Sequence, residues 1–218
     1  MVIKMNFLEK YDIHIKNQEL LLTALTHSSY SNEHNVPDYE RLEFLGDAIL
    51  EAVSSEYLYN NYELKEGEMS KLRSRYVCEQ ALYEYAKEIG YIPYIRVGNG
   101  QSSNNETIIA DIFEAILGVI FLEFGYEVSK KYVLSIITPY IESNVDLYHD
   151  YKSILQEMVQ TDKKSLVYKV VGETGPAHDK RFTIEVIVDG IVYGKGTGKS
   201  KKEAEQNAAM DAYKKCVK

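Results

Sequence analysis

The chain has 218 residues, of which 45% are hydrophobic, and a formal net charge of −8 at pH 7. This length allows one large or two modest domains, and the net negative charge on its face argues against a polyanionic partner. The charge is unevenly divided, however. Residues 1–148 hold 12 basic and 23 acidic residues, whereas residues 149–218 hold 13 basic and 10 acidic residues. This asymmetry is expected of an acidic module joined to a mildly basic one.

The two cysteines, Cys78 and Cys216, have no neighbouring Cys or His at metal-ligand spacing. The sequence therefore supports neither a zinc site nor a disulfide framework, and we expect buried or incidental thiols in a reducing compartment. No run of about 18 apolar residues is present, and residues 1–6 lack the apolar stretch of a signal peptide. We expect a cytoplasmic protein that does not enter a membrane.

The first segment, residues 7–25, alternates apolar and polar residues with a helical rhythm. Its expected core stripe consists of Leu20, Leu21, Ala24 and Leu25. Residues 26–33 are rich in capping and turn residues and are expected to interrupt the helix. The single histidine in this break, His27, is expected to have a structural role, because a lone histidine without partners in sequence rarely indicates catalysis.

A long helix is predicted from Tyr39 to about Tyr62. At about 100° per residue, three carboxylates share one edge of this helix: Glu40, Glu43 and Asp47. Aliphatic residues occupy another face: Leu42, Leu45, Ile49, Ala52 and Val53. Like charges three or four residues apart repel one another, and Mg²⁺ is held by a few carboxylates, waters and substrate phosphates. The edge is therefore either half of a metal site or a solvated acidic face, and this helix alone leaves both readings open.

Residues 63–70 are mostly polar and separate the predicted long helix from a second helical pattern. Gly67 is expected to stop the preceding helix, and Ser70 is expected in the first turn of a helix that continues to Ile89. The stretch from Gly90 to Asn105 is expected to form a loop with a short helical piece around Pro93.

A strongly apolar helix is predicted over residues 104–121, and it contains two acids, Asp111 and Glu114. These acids are three residues apart and are therefore neighbours on one face. Charges in such an apolar segment are costly unless they are paired or bound to metal, so this helix is a candidate for the second half of a metal site. A final helix is expected from about Ser129 to Glu142.

The residue pattern changes after Tyr151, where strand-forming segments appear. A helix is expected over residues 152–160, followed by strands over residues 167–173, 181–188 and 191–196. Asp189-Gly190 is the residue pair that a type I′ hairpin requires. Ser200 can cap a last helix that runs to about Lys215. The small-residue face of this helix is suited to lie close to a sheet and consists of Ala204, Ala208, Ala209 and Ala212.

Three segments resemble the bacterial ribonuclease III family in order and separation. They are residues 40–47 (Glu-Arg-Leu-Glu-Phe-Leu-Gly-Asp), 25–30 (Leu-Thr-His-Ser-Ser-Tyr) and 109–115 (Ile-Ala-Asp-Ile-Phe-Glu-Ala). Residues 151–218 resemble a double-stranded-RNA-binding domain at its three contact regions: residues 155–157, the loop 175–178 and residues 198–205. The resemblance covers essentially the whole chain.

This resemblance implies a multi-domain chain: an all-α endonuclease and dimerisation domain over residues 1–146, a linker over 147–150, and a small α+β domain with the order α-β-β-β-α over 151–218. It implies an Mg²⁺-dependent endoribonuclease, with Mn²⁺ able to substitute, that hydrolyses both strands of double-stranded RNA. The products would have 5′-phosphate and 3′-hydroxyl ends with short 3′ overhangs. Processing of ribosomal RNA precursors and of mRNA is the expected role.

The same resemblance assigns residues to roles. The implied catalytic metal ligands are Glu43, Asp47, Asp111 and Glu114. Residues implied in substrate handling or RNA contact are Glu40, Glu66, Gln156, Glu157, His178, Lys199, Lys201 and Lys202. Physically, polar side chains can reach 2′-hydroxyls, and lysines at a helix N-terminus favour phosphate.

Phe44 points to a homodimer, because it projects beside the acidic edge and away from the aliphatic face and would be left partly exposed in a monomer. In this family the equivalent phenylalanine inserts into the partner. The alternative is that Phe44 packs under the loop containing His27. Two other functions also stay open: a dimeric RNA-binding regulator that does not cut, and a nuclease acting on another phosphodiester such as DNA.

Overall fold

The computed structural model describes residues 5–143, 151–161, 164–176 and 180–216. The chain divides into two compact units, residues 1–148 and 149–218. The predicted linker, residues 147–150, lies outside the described residues. Among the helices that are described, none is both long and apolar enough to cross a membrane.

The first unit is helical, as predicted. Its described α-helices are α1 (Gln18–Ala24), α2 (Ser28–His34), α3 (Glu40–Asn61), α4 (Glu66–Val77), α5 (Glu79–Ile89), α6 (Glu106–Phe124) and α7 (Tyr126–Glu142). The described part of this unit also contains 3₁₀ turns at Glu9–Tyr11 and Ile92–Tyr94, and the latter is the short helical piece predicted around Pro93. Helix α6 begins where the side chain of Asn105 accepts hydrogen bonds from the backbone N–H groups of Thr107 and Ile108.

Helix α6 lies at the centre of the core of this unit. Eleven of its residues are buried: Ile108, Ile109, Ala110, Ile112, Phe113, Ala115, Ile116, Leu117, Gly118, Val119 and Ile120. A helix that is apolar on most of its faces is stable only when it is surrounded by other elements. The two acids in α6, Asp111 and Glu114, are half-buried among these buried residues.

Two glycines set the close approach of α3 to α6. A methyl group at Gly46 would collide with the backbone carbonyl of Glu114, and one at Gly118 would collide with the backbone carbonyl of Leu42. Any side chain at either position would separate the helices. This contact brings the acid-bearing part of α3 against the acid-bearing part of α6.

Three local predictions in this unit need correction, two in full and one in part. Residues 7–25 do not form one helix, because Asp12 has a left-handed backbone with φ 59° and α1 starts only after the Asn17 cap. The predicted interruption is present, because α1 ends at Ala24, but residues 28–34 then form α2, since the His27 ring accepts a hydrogen bond from the Ser29 N–H.

The third error concerns Gly67 and the helix that was expected to continue to Ile89. Helix α3 ends earlier, at Asn61, and Gly67 lies in the first turn of α4, where its N–H needs no intrahelical partner. The backbone N–H of Lys65 donates to Oε2 of Glu68 at 2.9 Å and starts α4. Cys78 is extended, with φ −77° and ψ 160°, and divides the predicted helix into α4 and α5.

The second unit has the predicted order. It contains α8 (Tyr151–Thr161), β1 (Leu166–Thr174), β2 (Arg181–Val188), β3 (Ile191–Gly198) and α9 (Lys201–Cys216). The strands form an antiparallel sheet in the order β1-β2-β3. Asp189 and Gly190 have φ values of 46° and 81°, which confirms the predicted type I′ turn.

The predicted alanine face of α9 is confirmed, because all four alanines are fully buried. On β3, methyl groups at Gly194 and Gly196 would collide with the backbone of α9, so glycines on the strand and alanines on the helix together allow close packing. Ser200 accepts a hydrogen bond from the Glu203 N–H at 3.1 Å and caps α9, as predicted.

Candidate active site and RNA-binding surface

Five of the six predicted acids of the first unit lie on α3 and α6, the two helices that approach closely at Gly46 and Gly118. On α3, Glu40 and Asp47 are exposed and Glu43 is half-buried. On α6, Asp111 and Glu114 are also half-buried, although the residues between them are buried. The close approach at Gly46 brings the part of α3 that carries Glu43 and Asp47 next to Glu114 of α6.

The carboxylates act on one another electrostatically. Burial, and then the charges of Asp111, Glu40 and Asp47, raise the pKa of Glu43 to about 7. Burial, and then the charges of Asp47, Glu43 and Asp111, raise the pKa of Glu114 to about 8. The structure therefore brings all four predicted catalytic acids within electrostatic reach of one another, two from α3 and two from α6.

Asp111 has a partner that the sequence analysis missed. The hydroxyl of Tyr39 donates a hydrogen bond to Oδ2 of Asp111 at 2.8 Å. Burial raises the pKa of Asp111, and the Tyr39 hydrogen bond opposes that rise. The only signal in the sequence is a tyrosine directly before the acidic helix, which does not identify its partner 72 residues later.

The donor set suits a hard divalent cation, since it consists of carboxylate oxygens that repel one another when they are ionised. As the side chains are placed, no group of three or more His, Cys, Asp or Glu among the described residues converges into a ready-made metal site. The assignment of Glu43, Asp47, Asp111 and Glu114 as ligands therefore stays a prediction, supported by their proximity and chemistry.

The acids on α3 and α6 form what we call the acidic cluster: Glu40, Glu43, Asp47, Asp111 and Glu114. Glu66 is the predicted acid that lies outside this cluster. It is the first residue of α4, is exposed, and its Oε1 accepts a hydrogen bond from Ser70 Oγ at 3.0 Å. It lines a cavity of about 210 Å³ between α3 and α4. The other lining residues are Ser55, Leu58, Tyr59, Met69, Ser70 and Arg73.

Phe44 is 80% exposed. The alternative in which it packs under the loop containing His27 is therefore wrong. His27 itself caps α2 and its ring lies 5.8 Å from that of Tyr39, in agreement with the structural role expected for it.

The predicted RNA contacts of the second unit lie on its surface where they are described. Gln156 and Glu157 are exposed on α8. Three exposed lysines surround the start of α9: Lys199, Lys201 and Lys202. His178 lies outside the described residues.

These features define a class of protein: a helical, carboxylate-based nuclease unit in one chain with an α-β-β-β-α domain whose basic helix terminus suits RNA phosphates. Residues 17–141 match the family described as Ribonuclease-III-like, and residues 151–216 match the double-stranded RNA binding motif.

Curated relatives span nearly the whole chain. Ribonuclease 3 of Listeria monocytogenes serovar 1/2a is 45% identical over 219 residues, covering 96% of this chain and 96% of the relative. Ribonuclease 3 of Streptococcus sanguinis is 42% identical over 223 residues, covering 98% and 96%. A solved nuclease domain of ribonuclease III from Campylobacter jejuni is 33% identical, with a TM-score of 0.57, and covers 66% of this chain and 97% of that chain. The chain belongs to the ribonuclease III family, a family of divalent-metal-dependent endoribonucleases, and carries a double-stranded-RNA-binding domain.

Proposed function

We propose that this chain hydrolyses phosphodiester bonds on both strands of double-stranded RNA and leaves 5′-phosphate and 3′-hydroxyl ends with short 3′ overhangs. The observation that carries this proposal is the half-buried set of carboxylates where α3 meets α6, two of them with pKa values raised to about 7 and about 8. A raised pKa means that ionising the carboxylate is unfavourable in the folded protein. Carboxylates with such strongly shifted pKa values are concentrated at functional sites.

Glu43, Asp47, Asp111 and Glu114 would hold the divalent cation. When bound, such a cation activates a water for attack and stabilises the attacking and leaving oxygens. The chain contributes the fixed positions of the carboxylates, which α3 and α6 supply from rigid helices. Glu40, exposed on the same edge as Glu43, would handle substrate at the margin of the site.

We propose Mg²⁺ as the cation in the cell and Mn²⁺ as a substitute. Both are accepted by sites made of carboxylates and water. The absence of histidine and cysteine from the predicted ligand set supports this choice, because Zn²⁺ sites usually include those residues.

We propose that the chain forms a homodimer through one face of α3. Phe44 lies near one end of this face, and Ser55 and Tyr59, which line the cavity between α3 and α4, lie near the other end. A two-fold interface is self-complementary, so two antiparallel α3 helices can place each Phe44 in the partner's cavity. The 80% exposure of Phe44 and the cavity of about 210 Å³ support this arrangement.

The proposed dimer also accounts for Glu66. In one protomer Glu66 lines the cavity and is separate from the acidic cluster. If Phe44 enters the partner's cavity, the partner's Glu66 comes close to the α3 edge that carries Glu40 and Glu43. Its predicted role in substrate handling would then be exerted across the interface.

The second domain supplies RNA affinity in this proposal. Lys199, Lys201 and Lys202 lie at the N-terminus of α9, where backbone N–H groups already favour phosphate. Gln156, Glu157 and His178 would contact the minor groove, where the 2′-hydroxyl distinguishes RNA from DNA. Such domains span about 16 base pairs of duplex.

We propose processing of ribosomal RNA precursors and mRNA in the cytoplasm as the cellular role. Double-stranded segments of such transcripts are the substrate class that the two domains together would select. The presence of only two cysteines, without a disulfide framework, suits a reducing compartment.

The test is cleavage of a uniform RNA duplex in Mg²⁺ and in chelator, with the product ends mapped. The full chain should cut only with Mg²⁺ and leave staggered ends. Asp47→Asn should abolish cutting and leave RNA affinity nearly unchanged, because that affinity arises mainly from phosphate contacts. Glu127→Gln, at an exposed acid in the first turn of α7, is the matched control and should cut normally.

Two results would contradict the proposal. RNA binding without cutting by the full chain would favour the regulator instead. Equal inhibition by competitor DNA and RNA duplexes of the same length would favour a nuclease for another phosphodiester.

A further inference from the structure

Tyr39 occupies a rigid position at the start of α3. It is 4% exposed, and its backbone N–H donates to the carbonyl of Thr26 at 3.0 Å. Its own carbonyl accepts from the N–H groups of Leu42 and Glu43 at 2.8 and 2.9 Å. The His27 ring lies 5.8 Å from its ring. The backbone and ring of Tyr39 are therefore held by surrounding groups before any ligand binds.

The Tyr39 hydroxyl links the two halves of the acidic cluster. It extends from the start of α3 to Oδ2 of Asp111 on α6 at 2.8 Å. Asp111 is itself half-buried, and a hydrogen-bond donor stabilises a carboxylate that is partly removed from water. A bond to Oδ2 leaves Oδ1 available for a cation.

We propose that Tyr39 is a positioning residue for the metal site: its hydroxyl fixes the orientation of the Asp111 carboxylate so that one oxygen faces the cation. This inference rests on the proposed function of the acidic cluster. Groups that hydrogen-bond to a metal ligand orient it, and their loss typically weakens metal affinity by about 10- to 100-fold.

Tyr39→Phe tests the inference, because it removes the hydroxyl and keeps the ring. We expect the Mg²⁺ concentration for half-maximal cleavage to rise by roughly tenfold or more, and the rate at saturating Mg²⁺ to return close to that of the unmodified chain. Mn²⁺ binding measured without RNA, by electron paramagnetic resonance of free Mn²⁺, should weaken by a similar factor. RNA affinity in chelator should not change, because Tyr39 is buried.

Tyr126→Phe is the chemically matched control. The Tyr126 hydroxyl also donates to a carboxylate, Oε2 of Glu56, at 2.6 Å, but neither residue belongs to the acidic cluster. This variant should bind Mn²⁺ and respond to Mg²⁺ as the unmodified chain does. Tyr39→Asn is a second test variant, since asparagine is favoured at a helix N-cap but is too short to reach α6. Because it also removes a ring that is only 4% exposed, its folding is checked first by circular dichroism, and the folded variant should weaken Mn²⁺ binding in the same way.

Unchanged Mn²⁺ binding and unchanged Mg²⁺ dependence in a folded Tyr39 variant would overturn the inference, as would an equal loss in Tyr126→Phe. The proposed function fails by a different result, in which the unmodified chain itself does not cleave duplex RNA with Mg²⁺.

Discussion

Glu114→Gln should stabilise the metal-free protein even though it removes a residue proposed to be essential. The pKa of Glu114 rises from its ordinary value of 4.5 to about 8, because partial burial of the carboxylate and then the charges of Asp47, Glu43 and Asp111 disfavour its ionised form. The folded state therefore holds a proton more tightly than the unfolded state. As pH rises from about 4.5 to about 8, the unfolded chain releases this proton first, and the free energy of unfolding falls.

The change in the free energy of unfolding can be estimated from the pKa shift of Glu114. One pKa unit corresponds to about 1.4 kcal/mol, so the shift sets an upper limit of about 5 kcal/mol. Solvent screening and relaxation of the neighbouring carboxylates reduce this, and we expect Glu114→Gln to add about 1–3 kcal/mol at about pH 8 and little at about pH 4.5. Glutamine has nearly the same shape as glutamate and stays neutral at both pH values.

Urea unfolding of residues 1–148 in chelator, followed by circular dichroism at both pH values, measures this difference. Glu127→Gln is the control and should show no such gain. Added Mg²⁺ should stabilise the unmodified protein more than Glu114→Gln, because a ligand stabilises the state that binds it. A Glu114→Gln protein that is less stable than the unmodified chain at about pH 8 would refute the proposed cost of this buried charge.

Three further predictions concern the dimer and the RNA. Phe44→Ala should shift the protein from dimer to monomer in sedimentation equilibrium without loss of helix content, and an unchanged dimer would exclude the proposed interface. Joint replacement of Lys199, Lys201 and Lys202 by alanine should weaken duplex RNA binding. In filter binding over a salt series, the slope of log affinity against log salt concentration should become smaller in magnitude by about two to three. An unchanged slope would show that these lysines do not contact RNA phosphates. Deleting residues 150–218 should weaken RNA binding and leave salt-sensitive cleavage at low salt and high Mg²⁺. A complete loss of cleavage would mean that the second domain helps to build the active site.

Local sequence patterns predicted the structure correctly where a feature depends on one helix or one turn alone. The hairpin at Asp189-Gly190 follows from residue types that tolerate positive φ. The alanine face of α9 and the acidic edge of α3 follow from helical periodicity. Patterns were less informative before α3, where polar residues such as His27 and Ser28 can either end one helix or cap the next. The sequence does not show which residues these side chains contact in the folded chain, so it does not decide between the two.

By itself, the sequence determined which residue types lie on α3 and α6, the two-part organisation and the family. Only the tertiary structure decided how the acids meet. Gly46 and Gly118 allow two helix backbones to touch, burial at that contact raises the pKa values of Glu43 and Glu114, and Tyr39 reaches Asp111. These effects depend on distances between residues far apart in the chain, which periodicity within a single helix does not contain.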